Sequence, residues 1–90
     1  MFEWINSTGV KSDKGFEVQA IKMYEIEYRE NGKVLTVFFE GGIKDGKVLV
    51  IVFKSNFKKW NDGTLILNPD EILKNFTEAM EFQNVGVEAD

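Results

Sequence analysis

The chain has 90 residues, a formal net charge of −4, no histidine and no cysteine. Without these two residue types there is no Ser-His or Cys-His catalytic pair, no disulfide framework and no zinc site with the usual ligands. The length fits one domain, residues 1–90, and a hydrophobic fraction of 43% is typical of a globular domain.

The first third of the chain has the alternating pattern of strands. Phe2–Asn6 is a short apolar segment. From Phe16 through Arg29 apolar and charged residues alternate, but the parity changes at Ile21–Met23. This pattern predicts one long strand with a bulge or bend at the parity change.

A hairpin and a central strand are predicted next. Asn31-Gly32 is the strongest hairpin signal in the chain and favours a type I′ turn. Lys33–Glu40 is predicted as the partner strand and Gly41–Gly46 as a hairpin loop. Lys47–Lys54, the most apolar segment, is predicted as a central strand, and Thr64–Leu67 as a further short strand.

The one clear helix signal begins at Asn68. Pro69 occupies the first helical position, and Asn68 with Glu71 has the spacing of a capping box. The apolar residues that follow recur at helical spacing and predict a stripe facing the core: Ile72, Leu73, Phe76, Ala79 and Met80. The helix is expected to end near Phe82 or Gln83, before a short terminal strand.

These elements together predict an α+β domain: an antiparallel β-meander of about five strands with one C-terminal α-helix packed on one face. The other face of such a sheet is left to water or to a partner. Because Lys47–Lys54 is apolar on both faces, burial of the second face in a homodimer stays open.

The N-terminus, Met1-Phe2-Glu3-Trp4, lacks the positive segment and apolar stretch of a signal peptide. The longest apolar run, Val48–Phe53, is far shorter than the about 20 residues of a membrane helix. We therefore expect a cytoplasmic protein that does not insert into a membrane.

Carboxylates are the only candidates for acid–base chemistry. Glu25 and Glu27 lie on one face of the predicted strand, about 6–7 Å apart, and Glu40 is expected near them across the hairpin. Such a group has the spacing for glycoside hydrolysis or a hard cation, but no other catalytic motif accompanies it. We expect no enzymatic activity and no cofactor or metal.

Charge is distributed unevenly along the chain. Residues 62–90 hold seven acids and one lysine, whereas residues 1–61 hold eight acids and ten bases. Lysines and aromatic residues interleave in one segment of the basic part: Lys54, Phe57, Lys58, Lys59 and Trp60. This composition is typical of single-stranded nucleic-acid binding, as in Whirly-like or coactivator-like folds. Alternatively, the aromatic residues belong to the core and the lysines form a solubilising rim.

Several segments together resemble the small immunity proteins of bacterial polymorphic toxin systems: Tyr24–Tyr28, Lys33–Leu35, Glu40, the apolar strand, Trp60 and a terminal helix ending Ala79–Phe82. Asn61-Asp62-Gly63 departs from the Pro-rich turn expected after the tryptophan in that family. The resemblance implies tight, non-catalytic binding to one cognate toxin, which blocks its active site or its target surface. It transfers no toxin-binding residue.

The leading prediction is therefore a protein-binding surface. The acidic residues of the helix, Glu71, Glu78 and Glu81, are expected to steer a basic partner. Exposed aromatic residues and a neighbouring arginine are expected to act as anchors. The full set of predicted partner-binding residues is Tyr24, Glu25, Glu27, Tyr28, Arg29, Glu71, Glu78 and Glu81.

Overall fold

In the computed structural model, which describes residues 1–90, seven strands form one sheet in the order of the chain. The strands are β1 (Phe2–Asn6), β2 (Gly9–Ser12), β3 (Phe16–Lys22), β4 (Glu25–Glu30), β5 (Lys33–Lys44), β6 (Lys47–Val52) and β7 (Gly86–Ala89). A 3₁₀ turn (Lys54–Phe57) and helix α1 (Pro69–Phe82) separate β6 from β7. Neighbouring strands are antiparallel except β6 and β7, which are parallel. The α+β class and the meander are confirmed, with seven strands instead of about five.

Part of the difference comes from the segment predicted as one long strand. It is a hairpin, in which β3 and β4 are joined at Met23-Tyr24 and the register is irregular between Ala20 and Lys22. The change of parity at Ile21–Met23 therefore marks a reversal of the chain as well as an irregularity. A further strand, β2, forms where none was predicted.

The connections also differ from their predictions. The segment Gly41–Gly46 is not a loop, because β5 continues to Lys44 and the turn consists of Asp45-Gly46, with φ of 54° and 76°. Thr64–Leu67 is not a strand and contributes one isolated bridge, between Leu65 and Lys59. The type I′ prediction for Asn31-Gly32 agrees with φ values of 53° and 75° at the two residues.

The hydrophobic core lies between the sheet and α1. Alternate strand residues face it, because side chains of a strand point to opposite faces in turn. Those most deeply buried are Val10, Phe16, Val18, Ile26, Tyr28, Leu35, Val37, Val50 and Val52. The helix contributes the predicted stripe, with Ile72, Phe76, Ala79 and Met80 all at most 7% exposed. The helix therefore packs on one face of the sheet, as predicted, and the other face is open.

The sheet curls around the helix. Residues 33–38 of β5 pair with β4, whereas residues 39–44 pair with β6. At the C-terminal end of α1 the ring of Phe82 contacts Phe2 of β1, with centroids 5.4 Å apart. Only four residues further along the chain, a span of at most about 14 Å, β7 begins at Gly86. Both margins of the sheet therefore approach the same end of the helix.

The start of α1 differs in detail from a capping box. The Asn68 side chain makes no hydrogen bond to the helix backbone. Its Nδ2 instead donates to Oε2 of Glu71 at 3.0 Å. The helix nevertheless begins at Pro69, as predicted. No helix in the chain has both the length and the apolar character needed to cross a membrane.

Two asparagines cover part of an edge that the sheet would otherwise leave open. Since β6 pairs only with residues 39–44, the outer edge of residues 33–38 has no strand beside it. The backbone N–H of Thr36 donates to Oδ1 of Asn61, and that of Phe38 to Oδ1 of Asn56, both at 2.9 Å. Asn56 Nδ2 also donates to the Thr36 carbonyl at 2.9 Å. Side-chain amides thus take the place of a neighbouring strand.

Candidate functional site

The predicted partner-binding residues lie on two opposite sides of the sheet. In β4, Ile26 and Tyr28 are buried against the helix, so Glu25 and Glu27 project from the open face. The acidic residues of α1 lie on the helix side. The two groups therefore belong to different surfaces, and a single flat partner surface contacts only one of them.

Tyr28 is not an exposed anchor, and its prediction as one is wrong. Its side chain is 0% exposed, because the parity that exposes Glu25 and Glu27 buries it. The hydroxyl donates to Oε1 of Glu30 at 2.6 Å and accepts from Nδ2 of Asn75 at 3.0 Å. Burial, reinforced by the hydrogen bond to Glu30, raises the pKa of Tyr28 well above its usual value.

Arg29 is held within the open face by two carboxylates. Its Nη1 lies 3.0 Å from Oε1 of Glu27 and its Nη2 lies 2.9 Å from Oε1 of Glu17. The pairs are partly exposed, so their contribution to stability is small. They do orient the guanidinium along the sheet, and they neutralise much of the charge that Glu27 was expected to present.

Tyr24 is exposed, as predicted, and it occupies an unusual backbone conformation. It lies in the β3–β4 turn with φ of 68° and is 55% exposed. Its ring makes an edge contact with Phe39 at 5.9 Å, and its carbonyl accepts the Phe39 N–H. A bulky residue with positive φ is uncommon and strained, and such residues cluster at functional sites. Met23 beside it is 80% exposed.

An exposed aromatic residue from β5 adjoins this turn. Phe38 is 54% exposed and lies directly across the ladder from Glu25. Glu40 follows two residues later on the same face of β5. Met23, Tyr24, Glu25, Phe38 and Glu40 are called the tip surface from here on. It combines large apolar side chains with a rim of carboxylates, which is the composition of a protein-binding surface.

Two members of the tip surface were missed from the sequence. Phe38 lies in the run Val37-Phe38-Phe39, where consecutive residues are apolar, so alternation alone did not show which side chains face outward. The signal lies in the register, since Glu25 pairs with Phe38 and the two side chains share one face. Met23 was placed in a strand and became visible as exposed only once the turn was known.

The acidic side chains of the helix remain accessible to a partner. Glu81 is exposed, and Glu71 accepts only the bond from Asn68. Glu78 lies 3.8 Å from Nζ of Lys14, an exposed pair that leaves most of its charge available. Their charges add to the negative field on this side of the molecule.

The basic–aromatic segment does not present its rings to solvent. Phe57 is 1% exposed and packs edge-on against Phe76 at 5.9 Å. Trp60 is half-buried and stacks on Tyr28, with ring centroids 6.2 Å apart. Lys54, Lys58 and Lys59 are exposed. The segment therefore offers charge but little aromatic surface for stacking on bases, and its aromatic residues belong to the core and its margin.

The carboxylates considered for catalysis do not line a cavity. None of the three cavities in the protein has Glu25, Glu27 or Glu40 in its wall. No three acidic side chains converge in a way that could hold a metal ion. These glutamates belong to an open sheet face.

No protein-family model, curated protein or solved structure matches the chain.

Proposed function

We propose that this chain is a non-catalytic binding protein of the immunity or inhibitor type, which neutralises a cognate toxin by occluding it. The observation that carries the proposal is the tip surface, where Tyr24 is held 55% exposed in a strained turn against Phe39, and Phe38, on the opposite face of β5 from Phe39, is 54% exposed. A left-handed conformation of a tyrosine costs on the order of 1 kcal/mol or more. A strained backbone that holds a large ring exposed supports a role for that ring in contact with another molecule.

The chemistry of the tip surface favours a basic partner. Phe38 lies between Glu25 across the ladder and Glu40 along the strand. Aromatic residues at the centre of an interface contribute most of the binding energy, and the charged rim sets orientation and on-rate. The acidic residues of α1 add to a negative field that attracts the same partner from a distance.

The proposal includes a cytoplasmic location for the protein. It also includes a homodimer as an open possibility, in which a second copy of the chain covers the apolar residues on the open face of β6. Leu49 and Ile51 face away from the core in β6 and are only half-buried. A second copy that covered them would complete the burial of this strand. Size-exclusion chromatography with light scattering decides this point, because a single species of 10.3 kDa contradicts the dimer.

The gene of an immunity protein is expected to lie beside the gene of its cognate toxin. The test is therefore binding of this chain to the product of the neighbouring gene. The two chains are co-expressed with a tag on one of them, and the affinity of the purified complex is measured. Tyr24→Gly removes the ring and suits the positive φ, so the fold is retained. We expect Tyr24→Gly and Phe38→Ala each to weaken binding at least about 30-fold, as for interface anchors.

Ile43→Ala is the matched control, since Ile43 is 79% exposed and lies outside the tip surface. It should leave the affinity unchanged. Equal loss in all three variants, or no complex with the neighbouring product, contradicts the proposal. Binding of fluorescent oligo-dT that weakens as salt rises supports the nucleic-acid alternative through Lys54, Lys58 and Lys59.

A further inference from the structure

A cleft lies at the opposite end of the β4–β5 hairpin from the tip surface. Its volume is about 410 Å³, and it is enclosed by the hairpin turn, the loop after Trp60 and the start of α1. Trp60 and Ile72 supply apolar wall, and Glu30 supplies a carboxylate. Leu65 and Leu67 also line the cleft and are 63% and 88% exposed, so together they place an exposed apolar patch at its mouth.

The positive charge in the cleft wall is already engaged. Nζ of Lys33 lies 2.9 Å from Oδ2 of Asp62 and 3.0 Å from Oγ1 of Thr64. The Thr64 hydroxyl and backbone N–H both donate to Asp62, and these bonds, with Lys33, hold the pKa of that carboxyl far below its usual value. Lys33 lies directly across the ladder from Glu30 but is paired with Asp62, so Glu30 has no ion-pair partner of its own.

Glu30 is fixed in position and keeps an acceptor free. Its Oε1 accepts the short bond from the Tyr28 hydroxyl, and Oε2 makes no hydrogen bond within the chain. Besides burial, the charges of Glu30 and Glu71 both contribute to the raised pKa of Tyr28. Two carboxylates from different elements thus place negative potential at this end of the core.

The aromatic wall is fixed as well. Trp60 is packed between the cleft and Tyr28, on which it stacks at 6.2 Å. Its backbone N–H donates to the Thr64 carbonyl at 2.9 Å, which closes the loop that carries Leu65. A fixed indole beside a fixed carboxylate is the arrangement that recognises an organic cation, and a planar guanidinium can both stack on the ring and pair with the carboxylate.

We propose that this cleft binds the guanidinium of an arginine side chain presented by another protein. The carboxylate of Glu30 pairs with the cation, Trp60 contacts its flat face, and Leu65 and Leu67 cover the alkyl stem. The site lies at the far end of β4 from Tyr24, about 20 Å away by the strand rise. It is therefore independent of the tip surface, and the failure of one proposal leaves the other standing.

The experiment is a titration of the ¹⁵N-labelled protein with N-acetyl-arginine amide, followed by NMR. The chain has two tryptophans, so the indole N–H of Trp60 reports on the cleft and that of Trp4 serves as an internal control. We expect the Trp60 signal to move with a Kd on the order of 1–10 mM, as befits so small a ligand, while Trp4 stays in place. N-acetyl-citrulline amide, its uncharged isostere, should bind at least about 10-fold more weakly.

Two variants test the residues that carry the site. Glu30→Gln keeps a hydrogen-bond acceptor for Tyr28 but removes the charge, and should weaken arginine binding at least about 5-fold. Glu3→Gln makes the same charge change at an exposed position outside both the cleft and the tip surface and should have no effect. If Glu30→Gln does not fold, Leu67→Ser, at an 88% exposed position, is expected to weaken binding about 2–5-fold. An unmoved Trp60 signal, equal binding of citrulline, or equal loss in Glu3→Gln overturns the proposal.

Discussion

Tyr28 is part of the core, and its hydroxyl bonds Glu30 in the wall of the cleft. Its raised pKa also makes the stability of the protein depend on pH. Its hydroxyl is the only phenol in the buried set, and it is satisfied from two sides by Glu30 and Asn75. An unpaired polar group at this depth would cost about 1–3 kcal/mol. The network therefore explains why the core tolerates a tyrosine and an asparagine, and it fixes the acceptor that lines the cleft.

The first prediction concerns alkaline pH. The folded pKa of Tyr28 is raised above the unfolded value of 10.0, so its contribution to stability is complete below that pH. Above it the unfolded chain loses the proton first, and stability falls as pH rises toward the folded pKa. Between about pH 9 and pH 11 we expect a loss of about 1 kcal/mol from this group.

Urea denaturation at several pH values measures this loss, with Tyr28→Phe as the control. The variant should be less stable by about 1–3 kcal/mol at neutral pH, because Asn75 and Glu30 lose their partner. It should also lack the tyrosine part of the alkaline decline. Parallel curves for the two proteins above pH 10 contradict the assignment.

The second prediction concerns the covered edge of β5. Asn61→Ala removes the acceptor for the Thr36 N–H, a bond of 2.9 Å, so we expect a loss of about 1–2 kcal/mol in the free energy of unfolding. Asn68→Ala is the comparison, since that side chain reaches only the exposed carboxylate of Glu71. It should cost less than about 0.5 kcal/mol. Similar costs for both would show that water replaces Asn61 at the edge.

At the residue scale, sequence reasoning found charged residues more reliably than aromatic ones. Glu25 and Glu27 are on the open face, as alternation predicts, because a charged side chain seldom has another place to go. Tyr28 and Trp60 carry both apolar and polar atoms, so either environment suits them. The buried position of Tyr28 depends on two hydrogen-bond partners, Asn75 and Glu30, which lie 47 and 2 residues away along the chain.

Elements with a local signal were predictable, and those formed by distant pairing were not. The Asn31-Gly32 turn and the start of α1 depend on residues within a few positions of one another. By contrast, the Gly41-Gly42 pair suggested a loop, yet both residues lie within β5 because they pair with β6. Glycine lowers strand propensity locally but does not prevent pairing when the flanking residues supply the ladder.

The third prediction tests that interpretation at the level of the β5–β6 hairpin. An added Cβ at Gly42 meets no atom within 4 Å, and its φ is not positive. Gly42→Ala should therefore raise the free energy of unfolding by about 0.4–1 kcal/mol, since it restricts the unfolded chain. Gly46→Ala in the adjacent turn, where φ is 76°, should lower it by about 1 kcal/mol. Thermal unfolding of the pair gives the comparison, and destabilisation by Gly42→Ala would mean that the strand needs its glycine to bend.

For the molecule as a whole, the net charge of −4 does not show that the acidic side chains lie on different surfaces. The carboxylates of the tip surface and those of α1 lie on opposite sides of the sheet, and Glu30 lies in the cleft at the other end of the β4–β5 hairpin from the tip surface. A basic partner is attracted by all of them but can dock on only one side at a time. Composition shows the excess of acidic residues, whereas their division between surfaces depends on the curl of the sheet, which no local pattern encodes.

The order of the strands has a consequence for how the chain folds. The first six strands form five successive antiparallel pairings between neighbours in the chain, so the entropy cost of closing each loop is low and these strands can assemble early. The pairing of β7 is expected to form later, because its parallel contact with β6 closes a loop that contains the whole helical crossover. In stopped-flow measurements Val87→Ala should mainly accelerate unfolding, whereas Val18→Ala should mainly slow refolding. The last strand would then be the one that opens first in native-state hydrogen exchange.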